Sequence, residues 1–249
     1  MAKLTKKAAF FRQISLLKKK SSYLSFGFLK QVAREKGIID NEETLKKYLS
    51  IAVEEGLIFN AGKGWYTGQS KPVVFDTSVV DPLHSMLKER FPFLPLYIWS
   101  TQQINPWMHH LLGSFVTFVY VDAEGAESLA EFLLNQGWNV SLSPKASESK
   151  NFVIREKSLV VRPITRQFDE DSEPTVETVL VDLFTEIGRL PLMDLREFQD
   201  MACKLITSGS VDIARLQRLL GDKKKNIAEF LGGNQSTISE NPIISEIVD

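Results

Sequence analysis

Lys46, Lys47 and Ser50, with Thr44 just ahead of them, lie in the run Asn41-Glu-Glu-Thr-Leu-Lys-Lys-Tyr-Leu-Ser-Ile-Ala-Val-Glu-Glu-Gly56, at intervals that bring them to one side of a helix. Two ammonium groups and a hydroxyl on such a face are donors for phosphate oxygens and for base edges in a major groove. Lys18-Lys19-Lys20 and Lys63 add further charges suited to phosphate contact. Each of these lysines is equally at home as a solvated surface charge. Glu42 and Glu43 oppose the phosphate reading, although a carboxylate at a helix N-terminus also favours the helix dipole.

Asp122 followed by Glu148-Ser149-Lys150 has the residue types with which restriction-type nucleases hold a divalent metal and polarise a water. Here the second element falls in the Ser- and Lys-rich stretch 141–150, read as a turn, which offers no rigid frame for a metal. His84, His109 and His110 lack the spacing of metal ligands, because adjacent residues on a helix diverge by about 100°. Gly62-Lys63-Gly64 lacks the upstream glycine and downstream hydroxyl of a phosphate loop. Asp182 and Glu186, four apart on a helix, read as a solvated or salt-bridged face. Trp99 and Trp107, flanking a helix start at Ser100-Thr101, read as core. No catalytic residue and no cofactor is expected.

Leu45, Tyr48, Leu49, Ala52 and Val53 recur at helical spacing behind the lysines, with Asp40 or Asn41 placed to cap and Gly56 placed to stop the helix. Residues 57–67 are two short β-prone runs around Asn60-Ala-Gly-Lys-Gly64, where glycines supply the positive φ of a hairpin turn. A helix followed at once by a hairpin is the pattern of a recognition helix and its wing. Lys6–Leu17 and Phe26–Glu35 supply two more amphipathic helices, with 24–27 as the approach to the second. Residues 1–70 are therefore expected to form a winged helix-turn-helix, a module of a size that can fold alone.

Beyond a short connector the pattern changes. Helices are expected at 82–91, 101–111 and 126–136, and strands at 96–99, 115–121, 139–142, 152–155 and 159–161, a mixed α/β domain over 71–166. The acidic stretch 168–174 reads as a solvated loop. From Thr175 to Leu231 the chain is helical. Val176, Val179, Leu180, Leu183 and Phe184 form one apolar face, Leu195, Phe198, Met201, Ala202 and Leu205 another, and shorter helices follow at 211–219 and 222–231. The tail 232–249 is expected to be flexible, with Ile243, Ile244, Ile247 and Val248 available for docking. The fold class is α+β.

At 249 residues and 43% hydrophobic content the chain can bury a sizeable core in two or three domains. The near-neutral total of −1 is divided unevenly. Through Ser70 there are 13 basic and 6 acidic residues, a net +7, against 17 and 25 in the remainder, a net −8. A basic head on an acidic body is a recognised footprint of nucleic-acid binding. The sequence shows neither an apolar run of membrane-spanning length nor a signal-peptide pattern, so a soluble cytoplasmic protein without membrane contact is expected. The single Cys203 excludes an intramolecular disulfide and reads as a small buried hydrophobe.

Trp99-Ser-Thr-Gln-Gln-Ile-Asn-Pro-Trp-Met-His-His110, the strand leading to Val121-Asp122 and the helix after it resemble the central region of AbiEi-type antitoxins, the antitoxins of type IV toxin-antitoxin systems. Val176-Glu-Thr-Val-Leu-Val-Asp-Leu-Phe184 resembles a Leu-Val-Asp-Leu helix of the same proteins, and a helical stretch like 210–231 follows in them. The resemblance covers about 70 to 230 and implies a DNA-binding antitoxin that represses its own operon at inverted repeats, as a monomer or a homodimer. It also implies a functional partner, a nucleotidyltransferase toxin, countered with or without direct contact. It carries no catalytic residues, and DNA contacts would fall within 41–54 and the wing. The alternatives are a metal-dependent nuclease targeted by the winged helix, and a winged-helix scaffold that binds only protein.

Overall fold

The computed structural model describes residues 5–70, 73–165 and 174–232; the expected tail beyond Gly232 and most of the expected acidic loop lie outside the described residues. The described chain is mixed α and β with a helical C-terminal part, and it divides into two compact units. One takes in Met1–Val73 and Ala202–Asp249, the other Val74–Met201.

The first unit starts with α1 (Lys6–Leu17), capped by Thr5, whose side chain accepts from the Ala8 N–H. A short strand β1 (Tyr23–Ser25) leads into α2 (Phe26–Glu35), with the Ser25 hydroxyl as N-cap. α3 (Glu42–Glu54) follows, and then the hairpin strands β2 (Phe59–Asn60) and β3 (Trp65–Thr67). β3 is the central strand of a three-stranded antiparallel sheet in the order β1-β3-β2, with Tyr23 opposite Thr67 and Phe59 also opposite Thr67. Phe10, Ile14, Leu24, Leu29, Ala33, Leu45, Leu49, Ala52 and Ile58 form a buried cluster. Each large side chain in it is worth roughly 1.5–3 kcal/mol relative to exposure.

The second unit holds α4 (Asp81–Arg90), β4 (Leu96–Ser100), α5 (Thr101–Ile104), β5 (Val116–Val121), α6 (Ala126–Asn135), β6 (Asn139–Leu142), β7 (Ser158–Pro163) and α7 (Val176–Ile187). Its sheet runs β4-β5-β7-β6, with β4 antiparallel to β5, and with β5 and β6 both parallel to β7. Strand alternation sorts the side chains by face. Ile98, Val119, Val121, Leu159 and Val161 pack with Leu83, Leu87, Leu129 and Leu133 from α4 and α6. Tyr97, Tyr120 and Arg162 stand in register on the opposite face, where α7 meets them.

The chain returns to the first unit within α8 (Leu195–Thr207) and ends its described course in α9 (Ile213–Asp222) and α10 (Ile227–Leu231). The expected helical region 175–231 is thus shared between the two units.

Three expected elements are formed differently. The helix expected over 101–111 stops at Ile104 and gives a 3₁₀ turn over Asn105–Trp107, because Pro106 has no N–H to continue the ladder. No strand forms at 152–155. The Arg155 N–H donates to the Ser158 hydroxyl at 2.8 Å and Lys157 sits at φ 55°, a tight turn that delivers the chain into β7. The last helix starts at Ile227 rather than at 222, after Lys224 takes a left-handed φ of 55° and Asn226 caps.

Candidate nucleic-acid interface

Asn41 fixes where α3 begins. Its side-chain oxygen accepts from the Glu43 N–H at 2.7 Å and the Thr44 N–H at 3.4 Å, satisfying two of the otherwise orphan amides of the first turn. Gly56, at φ 68°, ends the helix where a side chain would be strained. Between them Leu45, Leu49 and Ala52 are buried. Glu43, Lys46, Lys47, Ser50 and Glu54 are exposed, and Thr44 is half-buried.

The exposed face is not uniformly available. The Glu42 carboxylate takes the Lys30 ammonium at 2.6 Å and the Lys46 ammonium at 3.0 Å. Hydrogen bonds from Lys30 and then Lys46 hold the Glu42 carboxyl down at about 2, and the same bond raises the Lys46 ammonium above its ordinary value. Lys46 also lies 6.0 Å from the centre of the Phe26 ring. It is a tethered cation, and Glu42 is a neutralised one-turn partner rather than a bare repulsive charge. Ser50 donates to Glu54 over a long 3.4 Å. Lys47 makes no ion pair among the described residues.

The other expected contacts separate as well. Lys18 is half-buried, and its ammonium donates to the Leu57 carbonyl at 2.7 Å, so it ties α1 to the entrance of the hairpin instead of standing free. Lys19 and Lys20 are exposed in the turn after α1. Lys63 is exposed at the hairpin tip between Gly62 (φ 105°) and Gly64 (φ 83°). The turn is closed by Ala61 and Trp65, whose N–H groups donate to Trp65 O and Gly62 O, each at 3.0 Å. Lys47 and Lys63 thus offer donors from one helix and one hairpin, with Lys46 and Ser50 available on exchange of their carboxylate partners.

The return of the chain at 207–214 supports this hairpin, and sequence reasoning missed it. The Tyr23 hydroxyl donates to Val211 O and accepts from Val211 N–H, both at 2.9 Å, and Tyr23 is fully buried. Ser22 donates to Thr207 O at 2.6 Å, and Thr67 to Gly209 O at 2.7 Å. The Ile213 N–H reaches Ala61 O at 3.0 Å. A Cβ at Gly62 would lie 2.3 Å from Asp212 Oδ1 and 2.6 Å from the Ala214 Cβ, so the turn sits directly on the start of α9. No local signal marks these pairs, which are up to 188 residues apart.

The same division sharpens the charge contrast. Residues 1–73 hold 14 basic and 6 acidic side chains and residues 202–249 hold 6 and 6, a net +8, whereas 74–201 hold 10 and 19, a net −9.

In the second unit Asp182 and Glu186 are buried, not solvated, and of the solvated or salt-bridged face expected for them the salt bridge is formed, at Glu186. Tyr97 donates to Asp182 at 2.8 Å; Arg162 pairs with Glu186, and Arg189 reaches the same carboxylate at 3.0 Å. Tyr97 and Tyr120 stack with ring centres 4.7 Å apart. Burial, and then the charges of Asp182 and Glu186, push the Tyr120 phenol well above its ordinary value. This network couples α7 to the sheet. The nuclease-like residues are differently employed. Asp122 accepts from the Glu124 N–H at 3.0 Å and Glu148 from the Lys145 N–H at 2.7 Å, the latter in a 3₁₀ segment, Ala146–Asn151. Among the described residues no group of three His, Cys, Asp or Glu side chains is placed to hold a metal. His109 and His110 lie outside any helix, exposed, with rings 4.5 Å apart. Trp99 is buried and stacked on Phe118, whereas Trp107 and Cys203 are only half-buried. Among the described residues no helix is long and apolar enough to cross a membrane.

Compared with known proteins, residues 44–235 match the model of a family described as Family of unknown function (DUF6577). No curated protein matches the chain.

Proposed function

The chain belongs to this family of unknown function, and we propose that it is a duplex-DNA-binding regulator in which α3 reads the major groove and the β2–β3 hairpin follows the neighbouring backbone. The observation that carries this reading is the order α1-β1-α2-α3-β2-β3 with its sheet order β1-β3-β2, which is the order expected of a winged helix-turn-helix and supports that reading. Support comes from what that frame presents. Lys47 and Ser50 face outward one turn apart on α3, Lys63 stands at the tip of the wing, and the unit that bears them is strongly basic. Lysine and hydroxyl donors at these places suit phosphates and guanine edges alike.

The resemblance to AbiEi-type antitoxins extends the proposal: the DNA bound is the protein's own promoter, and the partner whose effect it counters is a nucleotidyltransferase toxin. Mobility shift of the promoter fragment by the full chain tests the first part. Retention that weakens when Lys46 and Lys47 are both replaced by alanine is the expected result. No retention at low salt would refute DNA binding and favour the protein-binding scaffold. Rescue of cells expressing the neighbouring toxin gene tests the second part, and failure to protect would limit the function to DNA binding.

A further inference from the structure

α9 is amphipathic. Ile213, Leu216, Leu219 and Leu220 are buried, and Arg215 and Arg218 are exposed on the other side, three residues apart and so neighbours on one helical face. Neither guanidinium has an ion pair or side-chain hydrogen bond among the described residues. The acid nearest in sequence, Asp212, accepts the Arg215 backbone N–H at 2.8 Å as the helix N-cap. The other acids of this stretch, Asp222 and Glu229, stand at the far end of α9 and in α10, where Glu229 pairs with Lys225 at 2.7 Å.

The position of the helix gives these arginines their meaning. The hairpin turn rests on the first turn of α9, through the Ile213 N–H to Ala61 O bond and the approach of Asp212 and Ala214 to Gly62. Arg215 directly follows Ala214, Lys63 directly follows Gly62, and both are exposed. The wing and α9 therefore present cations from two chain segments that meet at the hairpin turn.

We propose that Arg215 and Arg218 form a second phosphate-binding stripe beside the wing, which extends the interface from the groove read by α3 onto the flanking duplex backbone. The inference rests on the DNA-binding reading above. Arginine suits the role, because its planar fork pairs with phosphate oxygens in two bonds and is never deprotonated. Backbone contacts of this kind add affinity without adding sequence preference.

The test is a fluorescence-anisotropy titration of full-length protein with a duplex of about thirty base pairs carrying the promoter sequence, between 50 and 200 mM salt. Each lost phosphate contact lowers the log–log salt slope by about 0.9, so replacing Arg215 and Arg218 by alanine lowers it by about 1.8. Across this fourfold salt range the affinity of the double variant then falls about tenfold less than that of the wild type. Its preference for the promoter over a scrambled duplex stays unchanged, and the charge-preserving Arg215→Lys, Arg218→Lys variant restores most of the slope. An unaltered slope in the alanine variant, with binding still lost on Lys46→Ala, Lys47→Ala, would overturn the stripe and leave the DNA-binding reading standing. Absence of salt-dependent binding in the wild type would overturn both.

Discussion

Replacing Tyr23 by phenylalanine removes one oxygen atom and leaves the ring, so no cavity accompanies the change. That oxygen serves both polar groups of one peptide segment, the N–H and the C=O of Val211, at 2.9 Å each, and Val211 is 1% exposed. A buried polar group left without its partner costs about 1–3 kcal/mol, which for two groups gives about 2–6 kcal/mol. The loss falls on the unit made by 1–73 and 202–232, because the bond joins β1 to the segment ahead of α9. Native-state hydrogen exchange of the α3 amides reads it directly. Each 1.4 kcal/mol is a factor of ten, so protection should drop by roughly thirtyfold or more. The amides of β5 and β7 should keep theirs, because they belong to the other unit. A drop of less than about threefold in α3, or an equal drop in both units, would refute the claim that the returning chain is an integral part of the N-terminal unit.

Glu186→Ala should destabilise the second unit by about 3–5 kcal/mol in denaturant, because it strands the buried Arg162 guanidinium, and a cost under 1 kcal/mol would contradict that. Gly64→Ala should cost about 1–2 kcal/mol, for its left-handed φ alone with nothing within 4 Å, whereas Gly62→Ala should cost more, since its Cβ would strike Asp212 and Ala214; equal losses in thermal unfolding would show that the turn does not rest on α9. The Glu42 carboxyl should titrate by NMR at about 2 and move toward 4.5 when Lys30 and Lys46 are both replaced by alanine. Because its folded value is depressed, the stabilisation is complete above pH 4.5 and lost as the pH falls through about 2; an unshifted carboxyl would dissolve the triad.

What could be read from the sequence is what local chemistry determines. Asn41 announces its helix because a short polar side chain ahead of an apolar repeat satisfies orphan amides, and Gly62 and Gly64 announce the hairpin because few other residues take positive φ. The central strands of the second unit, rich in Val and carrying Tyr, Ile, Trp and Phe, stand out for the same local reason. Three-residue β1 carries too little pattern to be told from a loop, since it is a strand only through Tyr66 and its neighbours in β3. Asp182 and Glu186 look like a surface pair because their partners, Tyr97 and Arg162, come from strands 85 and 24 residues away. Lys18 reads in the sequence as a phosphate contact or a solvated charge because nothing local places Leu57 O, 39 residues away, beside it. Arg215 and Arg218 carry no signal in the sequence, since a pair of arginines on a short helix means little apart from the hairpin that rests on its first turn.

The most direct test of DNA reading by α3 and the hairpin is amide chemical-shift mapping of the full-length protein as duplex promoter DNA is added. Shifts should concentrate on Lys46, Lys47, Ser50 and Lys63 and fade as salt is raised. Shifts confined to residues 74–201, or none at low salt, would contradict it.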